Sequence, residues 1–216
     1  MNVTIAGGHG QIALHLTSIL GERGHRVRGL IRNPDHSGQV HAAGGEPVLC
    51  DLEQTSATEL EELLGDDVDT VVFAAGAGPG SGAARKETVD HDAAVTLLEA
   101  AVSRGVQHYV MVSAMNADAD HPGDEVFDVY LRAKGRADDA VRAGSVPATI
   151  VAPTSLTNDE PSGSVTFGDS ADGGPISRRD VAAVLAEVIE QRAGIGRTLQ
   201  LTAGDTPIAE AVAALA

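Results

Sequence analysis

Three residues in the middle of this 216-residue chain, Ser113, Tyr130 and Lys134, have types and an order suited to proton transfer. Tyr130 and Lys134 stand one helical turn apart in a stretch that reads as helix from Tyr130 to Ala143, so both side chains leave one face. An ammonium beside a phenol favours the phenolate. The expectation is therefore a lowered tyrosine pKa, with Tyr130 exchanging a proton with a substrate oxygen near neutral pH. Ser113 ends the apolar run Val106 to Val112 and is placed to hold that oxygen by a hydrogen bond. Taken alone, Tyr-x-x-x-Lys is also the spacing of an ordinary surface pair. A glycine loop at the N-terminus, a serine-ended strand and their order along the chain make it a candidate site for hydride chemistry. The other tyrosine, Tyr109, lies within a strand.

The element that would carry a hydride donor is the opening stretch Val3 to Leu20, VTIAGGHGQIALHLTSIL. Val3, Ile5 and Ala6 form a short apolar run that stops at Gly7. After Gly10, the residues Ile12, Ala13, Leu16, Ile19 and Leu20 recur at helical spacing. The pattern Gly-x-x-Gly-x-x-Ala suits a dinucleotide: Gly7 for a tight turn, Gly10 for close approach of a diphosphate, and Ala13 for packing of helix on strand. The first-turn residues Gln11 and Ile12 start a helix whose unpaired N–H groups and partial positive charge favour an anion. A purely structural turn would use the same glycines.

The cofactor choice rests on the end of the second strand, read from His25 to Ile31. No carboxylate stands between Val27 and Asn33 to bond the ribose hydroxyls of NAD, whereas Arg32 offers a guanidinium for a 2′-phosphate. The expectation is NADP (NADPH) in preference to NAD. Asp51 and Leu52, after a third strand from Pro47 to Cys50, are placed to flank adenine, or to make a turn. Arg85 and Lys86 are candidates for a phosphate contact or for capping the helix that follows.

The remaining elements alternate between strand and helix. A short helix reads from Val40 to Ala43 and another from Thr55 to Leu64, stopped by Gly65. Val68 to Ala75 is an apolar run, as expected for a central strand buried on both faces, followed by a glycine loop from Gly76 to Gly82. A long helix reads from Lys86 to Arg104. Thr149 to Val151 is a sixth strand, Ser177 caps a helix with Asp180 at capping-box spacing, and Thr198 to Thr202 and Ile208 to Leu215 close the chain as strand and helix. The fold class is α/β: a Rossmann-type, doubly wound parallel sheet in a single domain spanning 1–216, with a small substrate-side region from about 153. A loop from Thr154 to Gly174, rich in Gly and Ser, is the candidate substrate loop.

Composition narrows the function. A net charge of −16 repels nucleic-acid phosphates, and aromatic residues at 2% leave almost no stacking platform for bases. No segment has the apolar length of a membrane span and no leader is evident, so a cytoplasmic protein is expected. The single cysteine, Cys50, reads as a core residue, and the eight histidines, including His9 in the glycine loop, show no metal-site spacing, so no metal is assigned. The partner expected is a small-molecule substrate, with the chain a monomer or weak homodimer.

Together with the glycine loop, LIRNP at Leu30 to Pro34, AAGAGPGSG at Ala74 to Gly82, VSA at Val112 to Ala114 and YLRAKGRAD at Tyr130 to Asp138 resemble the atypical short-chain dehydrogenase/reductases. The similarity is to the compact NAD(P)H-binding branch akin to flavin and biliverdin reductases and NmrA-like proteins. It continues through TIVAPTSLTND, ISRRDVA and GDTPIAEAV and covers essentially the whole chain. The resemblance implies that Gly7, Gly10, Arg32, Asp51, Leu52, Ala75 and Gly76 carry NADP, and that Ser113, Tyr130 and Lys134 form the active-site group, Lys134 also touching the cofactor. Two departures stand out: Ala152, Pro153 and Thr154 replace a common Arg-Pro-Gly, and the Ser113 to Tyr130 spacing exceeds that of short classical members. The activity implied is reduction of a small carbonyl, quinone or flavin-like compound. The alternatives are a non-catalytic NADP(H) redox sensor and an epimerase or dehydratase that retains its cofactor, for which the chain is short.

Overall fold

The computed structural model describes residues 1–78, 80–168 and 174–215. The opening strand, β1 (Asn2–Ala6), is buried from Val3 onward and runs through the glycine turn into helix α1 (Gln11–Glu22), which buries Ala13, Leu16, Thr17 and Leu20 along one stripe. The alternation continues with β2 (Arg26–Ile31), α2 (Ser37–Ala42), β3 (Glu46–Leu49), α3 (Ala57–Leu64) and β4 (Thr70–Phe73). Helix α3 starts at a reciprocal capping box between Ser56 and Glu59, and Gly65 follows it with φ +90°. Every residue of β4 is buried.

The long helix expected from Lys86 to Arg104 is not uniform. It opens with a short turn, α4 (Ala83–Arg85), passes through a π-helical stretch from Lys86 to Asp92, and becomes regular only in α5 (Ala93–Arg104). The wide turn seats Asp90 in the interior, fully buried. Strand β5 (His108–Val112) follows, then α6 (Val126–Ala143), four residues longer at its start than the pattern predicts, and β6 (Ala148–Pro153).

The chain closes with β7 (Leu156–Thr157), β8 (Ser164–Phe167), β9 (Ile176–Ser177), α7 (Arg178–Gln191), β10 (Thr198–Ala203), β11 (Thr206–Pro207) and α8 (Ile208–Ala213). Ser177 caps α7 as expected, accepting the Asp180 N–H. Of the candidate substrate loop, residues 169–173 lie outside the described residues, as does Pro79 of the earlier glycine loop.

Nine strands form the main sheet in the order β11-β8-β10-β6-β5-β4-β1-β2-β3. From β3 to β10 all neighbours pair in parallel, while β8 and β11 add an antiparallel edge. The sequence reading of a wholly parallel sheet missed this edge: Ser164 to Phe167 buries only Val165 fully, and its short run is embedded in Gly, Ser and Pro. One apolar layer joins the sheet to α1, α7 and α8, and a second joins the other face to α3, α5 and α6. The chain leaves β1 toward β2 and returns to β4 on the other side, so a crevice opens at the carboxyl ends of β1 and β4. Among the described residues no helix is long and apolar enough to cross a membrane.

Candidate active site

The crevice is a groove of about 340 Å³ lined by Gly7, Gly10, Arg32, Asp51, Leu52, Ala75 and Gly76, together with neighbours including Glu53 and Arg85. Seven of the residues expected at a cofactor therefore share one wall system; Gln11 and Ile12 start α1 beside it. A second cavity lies at the opposite ends of the strands, around Asn2, Arg26 and Asp67, away from these groups.

Backbone geometry makes the groove. Gly7 has φ +79°, and a Cβ there would come within 2.6 Å of the Ala75 Cα. Gly8, which the sequence reading passed over, lies against β2: its Cβ would meet the Gly29 Cα at 2.5 Å. Glycines in the turn and one on β2, Gly29, thus let the turn lie flat on the sheet. Helix α1 begins at Gly10 with no side-chain cap and no acidic residue in its first turn, leaving its N–H groups available to an anion. An uncapped 12-residue helix pointing into a glycine-walled groove fits a pyrophosphate.

At the outer end of the groove, Arg32 does not stand free. Its Nη1 lies 3.2 Å from Glu53 Oε2, which also accepts from Arg85 Nη2 at 2.6 Å, while Thr88 Oγ1 donates to Glu53 Oε1 at 2.7 Å. The bonds from Arg85 and Thr88 hold the Glu53 carboxyl below its usual range, so it is ionised at neutral pH. Asp51 makes the turn: its Oδ1 accepts the Glu53 N–H at 3.1 Å and its carbonyl accepts from Gln54 and Thr55. His9 stacks on His36 with ring centroids 3.5 Å apart and bonds the Gln39 side chain.

Outside the groove lining, but against its Ala75 wall, α6 presents Tyr130, Lys134 and Asp138 at successive turns of one face. Asp138 is the residue the sequence reading did not single out; its signal was the same four-residue interval continued once more. Ser113 is buried and donates to Asp138 Oδ2 at 2.6 Å, so it meets α6 at Asp138, about two turns from Tyr130. The extra residues between Ser113 and Tyr130 fold back on α6. The Asp118 N–H donates to the Leu131 carbonyl, and the backbone passes so close that a Cβ on Gly135 would lie 2.2 Å from the Asp118 carbonyl carbon.

Lys134 is also buried. Its Nζ donates to the Val112 carbonyl at 3.1 Å, reaches the Ala75 carbonyl at 3.5 Å and lies 3.6 Å from Asp90 Oδ1. Asp90 Oδ2 accepts the Ala77 N–H at 3.2 Å. The ammonium and carboxylate together pin the ends of β4 and β5 and the start of the glycine loop. Burial pulls the Lys134 pKa below its usual value, against the pull of Asp90 and Asp138.

The electrostatics of Tyr130 differ from the expectation of a lowered pKa. Burial first, then the Asp90 and Asp138 carboxylates, push its phenol above the ordinary tyrosine range. Lys86 Nζ sits 5.3 Å from the ring centroid and Phe127 packs at 5.8 Å, the two groups on its outer side. Asp138 is pushed up to about 6, chiefly by burial, opposed by the Ser113 bond and by Lys134. Its Oδ1 is buried without a hydrogen-bond partner.

A mostly parallel sheet in the 3-2-1-4-5-6 order, with a glycine turn at the first β-to-α corner, defines a nucleotide-binding Rossmann domain. The chain belongs to the NAD(P)H-binding family, whose sequence profile matches residues 7–192, in keeping with the atypical short-chain dehydrogenase/reductase branch that the motifs resemble. It is 33% identical over 213 residues to the uncharacterized sugar epimerase YhfK of Bacillus subtilis, covering 98% of this chain and 99% of that one. A solved structure of a provisional NAD-dependent epimerase/dehydratase from Bacillus halodurans superposes with a TM-score of 0.90 at 35% identity, covering all of both chains. The oxidoreductase ylbE of Lactococcus lactis shares the fold with a TM-score of 0.87 at 23% identity, over 100% of this chain and 96% of that one. Among the described residues no cluster of His, Cys, Asp and Glu could hold a metal ion.

Proposed function

We propose that this protein is an NADPH-dependent oxidoreductase that reduces a small carbonyl, quinone or flavin-like compound. The observation that carries the reading is an uncapped helix terminus over a glycine-walled groove at the carboxyl ends of the central strands, with a half-buried Tyr130 and the buried Lys134 and Asp138 on one face of α6 beside it.

When bound, NADPH supplies a hydride. Gly7, Gly10, Gln11 and Ile12 would offer backbone to its pyrophosphate, Arg32 would meet its 2′-phosphate, and Asp51 and Leu52 would flank adenine. Lys134 acts as a clamp, holding the β4 and β5 ends that floor the site. Tyr130, with a raised pKa, keeps its proton at neutral pH. A phenol in that state is suited to donate to an oxygen on which negative charge develops, the need of the reductive direction, and unsuited to act as a base. Ser113 donates its proton to Asp138 Oδ2, which leaves the hydroxyl oxygen free only to accept.

The test is a panel of aldehydes, quinones and flavins offered with NADPH, following the loss of its absorbance. Turnover of one class that disappears in Tyr130→Phe supports the reading. Constant absorbance across the panel contradicts it and leaves the sensor and the epimerase or dehydratase alternatives. A second reading, a sugar epimerase or dehydratase, is favoured by the name carried by the B. subtilis relative. It predicts substrate conversion without net consumption of the dinucleotide.

A further inference from the structure

The carboxylate of Glu53 lines the groove beside Arg32. Two guanidiniums at the groove mouth, Arg32 and Arg85, converge on it, and Thr88 fixes its other oxygen. The Glu53 side chain is 19% exposed and held from three directions, whereas Arg32 is 57% exposed and makes one ion pair. Arg32 is the partner that can leave; Glu53 stays with Arg85 and Thr88.

We infer that Glu53 is a selectivity residue for the dinucleotide, an internal anion that competes with a 2′-phosphate for Arg32 and holds down the preference for NADPH over NADH. This rests on the assignment of Arg32 to the 2′-phosphate. Two guanidiniums meet the Glu53 carboxylate at the groove mouth, with Asp51 in the same wall, so a phosphate arriving at Arg32 must displace one carboxylate contact and then sit beside that same negative charge. A dinucleotide with a free 2′-hydroxyl meets neither cost, and a carboxylate is an acceptor for that hydroxyl. No local signal marks this group: an acid that meets the ribose is expected at the end of β2, while Glu53 comes 21 residues after Arg32, beyond β3.

The purified full chain is titrated calorimetrically with NADPH, NADH and adenosine 2′-monophosphate, in wild type and in the near-isosteric Glu53→Gln. Removing one exposed charge contact predicts that NADPH and adenosine 2′-monophosphate bind about fivefold more tightly to the variant, with NADH unchanged or weaker. The gain should shrink in high salt, because it is electrostatic. A ratio of NADPH to NADH affinity that is unchanged, or that falls because Glu53 serves only to hold Arg32 in place, overturns the inference. Arg32→Ala reports separately on the assignment beneath it: weaker binding of adenosine 2′-monophosphate to that variant supports the role of Arg32, and an unchanged affinity counts against it, whatever Glu53→Gln does.

Discussion

Two buried groups titrate in opposite senses across the same acidic range, and their near-cancellation can be exposed by substitution. Asp138 has its pKa raised from 3.8 to about 6 in the folded protein, so the ionised carboxylate is penalised by burial. Below about pH 4 it is neutral folded or unfolded; as pH rises through about 6 the folded protein must ionise it at a cost. The difference amounts to about 3 kcal/mol at 1.36 kcal/mol per pH unit, to order of magnitude. His108 behaves in reverse. Burial first and then Arg192 lower its pKa from 6.5 to about 4, and its Nε2 lies 3.0 Å from Thr149 Oγ1. At neutral pH it is uncharged in both states; as pH falls from 6.5 to 4 the unfolded chain takes up the proton first, and the folded state loses a similar 3 kcal/mol, again to order of magnitude.

Urea unfolding of wild type, Asp138→Asn and His108→Gln in half-unit steps from pH 4 to pH 8 reads both effects as differences between curves. Asp138→Asn should exceed wild type at pH 8 by up to about 3 kcal/mol, with the advantage vanishing by pH 4. The gap between His108→Gln and wild type should move in favour of the variant as pH falls over the same interval. Curves for Asp138→Asn and wild type that run parallel from pH 4 to pH 8 would refute the placement of an ionisable carboxyl in a dry site.

Lys134→Met removes the cation from a fully buried Asp90 and should cost about 3–5 kcal/mol in chemical denaturation; a loss under 1 kcal/mol would show that the pair does not hold the strand ends. Gly7→Ala combines a φ of +79° with a backbone clash at Ala75, so it should both destabilise the fold and weaken NADPH binding by at least tenfold in calorimetry; a variant of wild-type affinity would separate that turn from the cofactor. Tyr130→Phe should leave the NADPH dissociation constant within about twofold while removing turnover, measured by absorbance; an active variant would place the proton elsewhere.

What was legible in the sequence is what local patterns encode. The period of apolar residues changes across Gly7 to Gly10, and that switch fixes β1, the turn and α1 without reference to the rest of the chain. The order of alternating elements then leaves one crevice, so Arg32, Asp51 and Gly76 could be assigned to its wall from their positions at strand ends. Illegible were the groups whose partners are distant in sequence. Asp90 gains its burial from a π-helical turn that no periodicity marks, and its cation comes from Lys134, more than forty residues on. The sign of the Tyr130 shift was misread because an ammonium four residues away was visible and two carboxylates from other turns and helices were not. The β8–β11 edge escaped because its strands are too short and half-exposed to carry an alternation.

The most direct test of the central claim is the affinity of the wild-type chain for NADPH and NADH, measured in one buffer alongside Arg32→Ala. The groove geometry predicts saturable binding of both with NADPH the tighter, and a gap that largely closes when the guanidinium is removed. Equal affinities in the wild type, or a preference that survives in Arg32→Ala, would contradict it.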